Sequence, residues 1–269
     1  IVQKDDMEQN MNIKAILSAP PSNRMWQQYQ SEKPQRLLPV GASLVDQRLQ
    51  GGIAQDGLHE FFGVDHSDGT AAAAFALLMA LRLPEPETHI LWVSGDKERQ
   101  ASGRLYAAGL AQMGADPARM LLVQAADMRD ALRAAADGIR SKAAGAVILE
   151  AQGHARLIDL TSTRRLVLAA REAGVLALLV RGDAVPMPSA ATTRWQVRSA
   201  PSLPLPGNVP GFATFDINLL RHRGGIAPFT ARVTWDHGDR IFHDAPLSGG
   251  LSAGSAVGTA APDLRRQSA

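Results

Sequence analysis

Between Pro39 and Val180, short apolar runs alternate with stretches of helical period. Leu58 to Phe62 (LHEFF) reads as a first core strand, and an alanine-rich apolar helix is expected from Ala71. Thr88 to Val93 (THILWV) and Met120 to Val123 read as the next strands, with a helical pattern from Glu98 to Met113 between them that turns Leu105, Leu110 and Met113 inward. Asp127 is placed to cap a helix running to about Lys142. In it Met128, Leu132 and Ile139 fall on one stripe, while Arg129, Asp130, Arg133 and Asp137 face water. Gly145 to Leu149 and Val175 to Val180 are again apolar runs, and they flank a helix from Leu157 to Ala173. Apolar strands joined by helical crossovers predict an α/β fold whose parallel sheet is covered on both faces.

After Val180 the pattern changes. Arg181 to Thr193 is a loop rich in proline and small residues. Trp195 to Arg198, Ala213 to His222, Thr230 to Trp235 and Arg240 to His243 then read as strands punctuated by Gly and Pro, an antiparallel extension of the same sheet. Ahead of the first core strand, Leu38 to Gly57 mixes apolar residues with glycines and reads as a tight approach. The expected organisation is a flexible N-terminal segment (1–37), an α/β domain (38–245) and a disordered tail (246–269) of Gly, Ser and Ala that cannot bury enough surface to fold alone. Met25, Trp26 and Tyr29 could form one amphipathic turn that docks on a partner.

With 269 residues and 45% hydrophobic content, the chain can build a real core. The net charge of +2 makes nucleic-acid contact a matter of local patches rather than of average charge. There are no cysteines, which excludes disulfides, thiolate metal sites and cysteine nucleophiles and suits the cytoplasm. No run reaches the ~18 apolar residues of a membrane span, and no signal peptide is visible.

The segment from Gly63 to Thr70 has the strand, loop, helix order of a phosphate-binding P-loop, G-x-x-x-x-G-K-[ST]. That motif uses its second glycine to let backbone N–H groups approach the phosphates, its lysine to reach them, and its hydroxyl to hold magnesium. Here the second glycine position holds Asp68, the lysine position Gly69 and the hydroxyl position Thr70. A carboxylate roughly 4 Å from a phosphate charge is repelled by ~4 kcal/mol at an effective dielectric of 20. The loop therefore reads as a P-loop scaffold that has lost its ligand. ATP with magnesium is disfavoured, and no other cofactor is expected.

Two strand ends carry acids in positions that serve hydrolysis elsewhere: Asp96, with Glu98 close by, and Glu150. Without a phosphate cradle they are vestigial, serving as helix-start acids or loop anchors. His237 and His243 with Asp236 and Asp239 fit solvated loops better than a metal site. No G-x-S-x-G elbow is present. Arg221, His222 and Arg223 form a compact basic patch, and Arg164, Arg165, Arg171 and Arg181 lie on the Leu157 to Ala173 helix and the strand after it. Either set could contact a phosphate backbone.

Three stretches together resemble the RecA core and, more specifically, the ImuA family: Pro39 to Gly63, Ile90 to Glu98, and Phe215 to Trp235, where a basic turn precedes Ala227-Pro228-Phe229. The resemblance implies a RecA-like accessory protein of a damage-induced mutagenesis cassette. Its implied partners are ImuB, an inactive Y-family polymerase relative, together with RecA and an error-prone polymerase alpha subunit. By the same resemblance the phosphate loop falls on Gly63 to Thr70, the catalytic glutamate on or near Asp96, and the magnesium-side acid on Glu150. A DNA-binding loop falls on Arg181 to Thr193, with Arg181 and Arg194 as its basic borders. The expected role is a non-catalytic adaptor in translesion synthesis. The alternatives are an ATPase with an unorthodox loop, or a single-stranded DNA-binding module using Arg181, Arg194, Arg221 and Arg223.

Overall fold

The computed structural model describes residues 36–246, apart from 86–87, 154, 205–206 and 208–210. Met25, Trp26 and Tyr29 and the Gly/Ser/Ala tail lie outside the described residues.

The chain enters through a two-stranded antiparallel ribbon, β1 (Leu37–Leu38) and β2 (Ile53–Ala54), around the short helix α1 (Ser43–Arg48). Where sequence suggested only a tight approach, a helix forms because carboxylates hold its start. Asp46 accepts from the Val40 and Gly41 backbone N–H groups at 2.7 and 2.8 Å. Asp244 accepts from Ser43 Oγ at 2.7 Å and from the Leu44 N–H at 3.0 Å. Six residues are too few for periodicity to reveal.

The core strand β3 (Leu58–Gly63) leads through a 3-10 turn (His66–Asp68) into α2 (Gly69–Ala80), two residues earlier than the apolar run suggested. Helix α2 is apolar on every side, as a helix enclosed by neighbours must be. Its Phe75 ring lies 5.7, 5.6 and 4.9 Å from those of Phe61, Phe215 and Phe242. Strand β4 (Ile90–Gly95) follows, and the single helix expected from Glu98 to Met113 is instead two, α3 (Asp96–Ser102) and α4 (Ala107–Gln112). Gly103 breaks it with a φ of +80°, which side-chain-bearing residues rarely adopt.

Strand β5 (Met120–Ala125) leads to α5 (Met128–Ser141), capped by Asp127 through the Asp130 N–H at 2.9 Å. Strand β6 (Ala146–Gln152) runs three residues past its apolar core and takes Glu150 into the sheet. Helix α6 (Leu160–Ala173) opens with a reciprocal cap between Asp159 and Ser162 and ends at Gly174 in the left-handed conformation. Strands β7 (Leu176–Gly182), β8 (Thr193–Ala200), β9 (Thr214–His222), β10 (Phe229–Asp236) and β11 (Ile241–Ala245) complete the fold.

The nine-stranded sheet has the order β11-β10-β9-β8-β3-β7-β6-β4-β5. From β8 to β5 the pairs are parallel, and β9, β10 and β11 add antiparallel strands beyond β8. One face buries Phe61, Trp92, Leu178 and Trp195 with α2; the other buries Leu58, Val93, Leu149 and Leu179 with α5 and α6. No described helix is long and apolar enough to cross a membrane.

Candidate functional site

The C-terminal ends of β3, β7, β6 and β4 lie side by side and bring the predicted phosphate-loop and carboxylate residues into one row. At its head, the loop after Gly63 folds back on the strand. A Cβ at Gly63 would stand 2.8 Å from both the Asp68 carbonyl carbon and the Gly69 nitrogen. Asp65 shapes this turn by accepting from Ser67 Oγ at 2.6 Å and from the Ser67 and Asp68 N–H groups at 2.9 and 3.2 Å. The bond from the Ser67 hydroxyl, aided by those backbone donors, holds the Asp65 carboxyl below its usual range.

Asp68, expected to face a phosphate, is buried and turned toward β8, where Oδ1 accepts from the Ser199 N–H at 3.2 Å. Gly69 opens α2, with its Cβ position 3.6 Å from the Gly182 Cα, and Thr70 is exposed on the first turn. From Gly63 to Thr70 the chain carries two aspartates and no lysine or arginine.

Farther along the row, the buried acid after β4 is Glu98 rather than Asp96. Asp96 is exposed at the start of α3, whereas Glu98 folds back beside Gly95 and accepts from the Gln152 N–H of β6 at 3.1 Å. Glu150, two residues before Gln152, accepts from Trp92 Nε1 at 3.3 Å. The sequence points to Asp96 because it follows the strand closely. One helical turn decides otherwise, and only the Gly95 close approach could have signalled it. These residues do not fit an ATP–magnesium group: the loop supplies no cation, and both acids are engaged by protein donors.

Arg181 and Arg194, predicted as borders of a DNA-contacting loop, lie instead inside strands β7 and β8 and are buried. Between them, on β3, is the fully buried Glu60, which pairs with Arg194 Nε at 2.7 Å. Both guanidinium groups lie over the Phe62 ring, at 5.9 and 5.2 Å. Burial pulls the Arg181 guanidinium below its usual value, while Glu60 opposes that shift and Arg194 adds to it. These two arginines thus neutralise an interior carboxylate.

Arg221 and Arg223 sit at the opposite end of the strands from the Gly63 loop, since His222 pairs with Thr193, which in turn pairs with His59. Topology brings Arg164 and Arg171 of the second arginine set close to Arg223 there, while Arg181 lies at the Gly63 end. The Arg223 guanidinium is held below its usual value by burial and then by the charges of Arg171, Arg221 and Arg164. Its Nη1 donates to the Ala190 carbonyl at 2.8 Å. Among the described residues no group of three or more His, Asp or Glu is arranged to hold a metal ion.

No family model matches the chain. The curated proteins named Protein ImuA from two strains of Caulobacter vibrioides are each 30% identical to it over 207 residues, covering 71% of this chain and 81% of theirs. The chain belongs to the ImuA family. A crystal structure of the RadB recombinase superposes with a TM-score of 0.52 at 18% identity, covering 78% of this chain and all of that one. That likeness concerns the fold and matches the RecA-like architecture anticipated from the ImuA resemblance. In this ImuA-family chain the strand-end row lies along the C-terminal edge of the parallel strands of a RecA-like sheet.

Proposed function

We propose that this ImuA-family protein is a non-catalytic, RecA-like adaptor in damage-induced error-prone translesion synthesis, joining an ImuB-type inactive Y-family polymerase, RecA, or both. The observation that carries the reading is the Gly63–Thr70 loop. By its resemblance to the RecA phosphate loop it corresponds to a nucleotide-holding segment, yet it has Gly69 at the lysine position and packs back onto Gly63. A sheet that does not cycle nucleotide still presents rigid surfaces, and a binding role needs nothing more. Family membership supports the cassette context and, through it, the partners.

The test is co-purification of the tagged full chain with the co-encoded ImuB-type protein and, separately, with RecA. Retention of at least one near equal stoichiometry is expected; capture of neither overturns the adaptor reading.

A second reading has its own observation, the convergence of Arg164, Arg171, Arg221 and Arg223. Direct contact with single-stranded DNA there would weaken steeply with salt and be lost in Arg221→Ala with Arg223→Ala. Oligonucleotide binding that is insensitive to the pair removes it.

A further inference from the structure

Helices α5 and α6 pack side by side over β6 and β7, and a groove of about 430 Å³ runs between their outer faces. Its basic lining comes from Arg129, Arg133 and Arg140 of α5, Arg156 of the preceding loop, and Arg165 of α6. The apolar lining comes from Leu132, Leu157 and Leu166, of which Leu157 is exposed.

Two acids also line the groove, and both are engaged. Asp137 pairs with Arg140 at 3.2 Å, and Asp159 caps α6 through the Ser162 N–H at 2.7 Å. Arg133 is matched by Asp130 at 3.3 Å. Arg129, Arg156 and Arg165 have no carboxylate within ion-pair distance among the described residues. At one end the groove adjoins a cleft of about 300 Å³ through the shared Arg156 and Asp159, where Arg181 and Met187 continue the same mixture.

Resting on the adaptor reading, we infer that the α5/α6 groove is the docking surface for an acidic, amphipathic segment of a partner protein. Leucines along such a segment pack on Leu132, Leu157 and Leu166, and its glutamates or aspartates meet Arg129, Arg156 and Arg165. Charge complementarity selects an acidic occupant, and the apolar lining between two helices selects a folded peptide over a bare polyanion. Single-stranded nucleic acid fits less well because its bases need aromatic platforms, and among the described residues no Phe, Tyr, Trp or His lines the groove. Arginine is among the residue types enriched at binding hot spots.

The test uses a fluorescent synthetic helix of Leu at i, i+3, i+4 and i+7 with Glu elsewhere, titrated into the full chain. A dT 20-mer serves as competitor. The charge-reversed pair Arg129→Glu with Arg165→Glu is compared with an equal charge change at exposed sites elsewhere, Arg104→Glu with Arg198→Glu. Thermal melting confirms that both are folded. The groove pair is expected to lose at least tenfold in peptide affinity and the control pair less than threefold, with the dT oligomer failing to displace the peptide. Equal loss in both pairs, no loss in either, or displacement by dT with groove-dependent DNA affinity overturns the inference.

Co-purification separates this from the adaptor reading. If wild type captures ImuB or RecA and the groove pair captures it equally, the groove is wrong and the adaptor stands. If wild type captures neither, the adaptor reading fails, and the peptide titration alone decides the groove.

Discussion

At the scale of single residues, buried polar groups set the sharpest expectations. His59 is fully buried on β3, with Nδ1 2.7 Å from Thr193 Oγ1 and Nε2 2.8 Å from the Ala54 carbonyl. Trp195 Nε1 donates to the same threonine oxygen at 2.7 Å. The consistent arrangement is a neutral ring that donates from Nε2 and accepts at Nδ1. Burial lowers the His59 pKa to about 4 from 6.5. The unfolded chain therefore takes up this proton more readily than the folded one. Stability from His59 is complete above pH 6.5 and is lost as pH falls toward 4, by about 3 kcal/mol at ~1.4 kcal/mol per unit. Urea melts of wild type and His59→Gln across that range check this: the wild type should weaken with acid by about that much more than the variant. Equal slopes would remove the assignment.

The interior ion group behaves differently. Replacing Arg194 with Met leaves Glu60 buried beside Arg181 alone, and loss of one partner of a buried pair costs about 3–5 kcal/mol. A loss of stability of that size in urea unfolding is expected for Arg194→Met, and a loss below about 1 kcal/mol would contradict the pairing.

At the scale of elements, the loop between β3 and α2 makes a paired prediction. Gly63→Ala places a methyl against backbone that cannot give way easily and should destabilise by about 1–3 kcal/mol. Gly69→Ala meets only ordinary contact and, at a helical φ of −55°, should be neutral or gain about 0.4–1 kcal/mol. Chemical denaturation of the two variants distinguishes a closed loop from an open one, in which both would be neutral.

The elements legible in the sequence are those whose pattern is repetitive. The parallel strands from β3 to β7 announce themselves as apolar runs, and α5 and α6 through their stripes and caps. Helix α1 and the division between α3 and α4 were hidden because each depends on a single local device, the carboxylate clasp of Asp46 and the positive φ of Gly103. Strand ends were also hidden. Arg181 and Glu150 continue strands whose apolar runs stop before them, and this is why one seemed a loop cation and the other a loop anchor.

At the scale of the whole molecule, a RecA-like sheet carries at its strand ends a loop without lysine or arginine and two acids bonded to protein donors. Gly63 and the loop after it could be foreseen because they follow a strand that sequence could find, whereas the choice of Glu98 over Asp96 and the place of Glu150 inside β6 could not. Neither the joining of Arg164 and Arg171 with Arg221 and Arg223 nor the α5/α6 groove could be read that way. Both arise from elements distant in sequence that the sheet order and crossover packing bring together.

The adaptor proposal requires that this fold work without nucleotide. Isothermal titration calorimetry of the purified full chain with ATP and magnesium tests it most directly. No binding heat is expected for the wild type at millimolar nucleotide. Saturable binding at micromolar concentration would contradict it, and would mean that the closed loop at Gly63 opens to take a phosphate without a lysine.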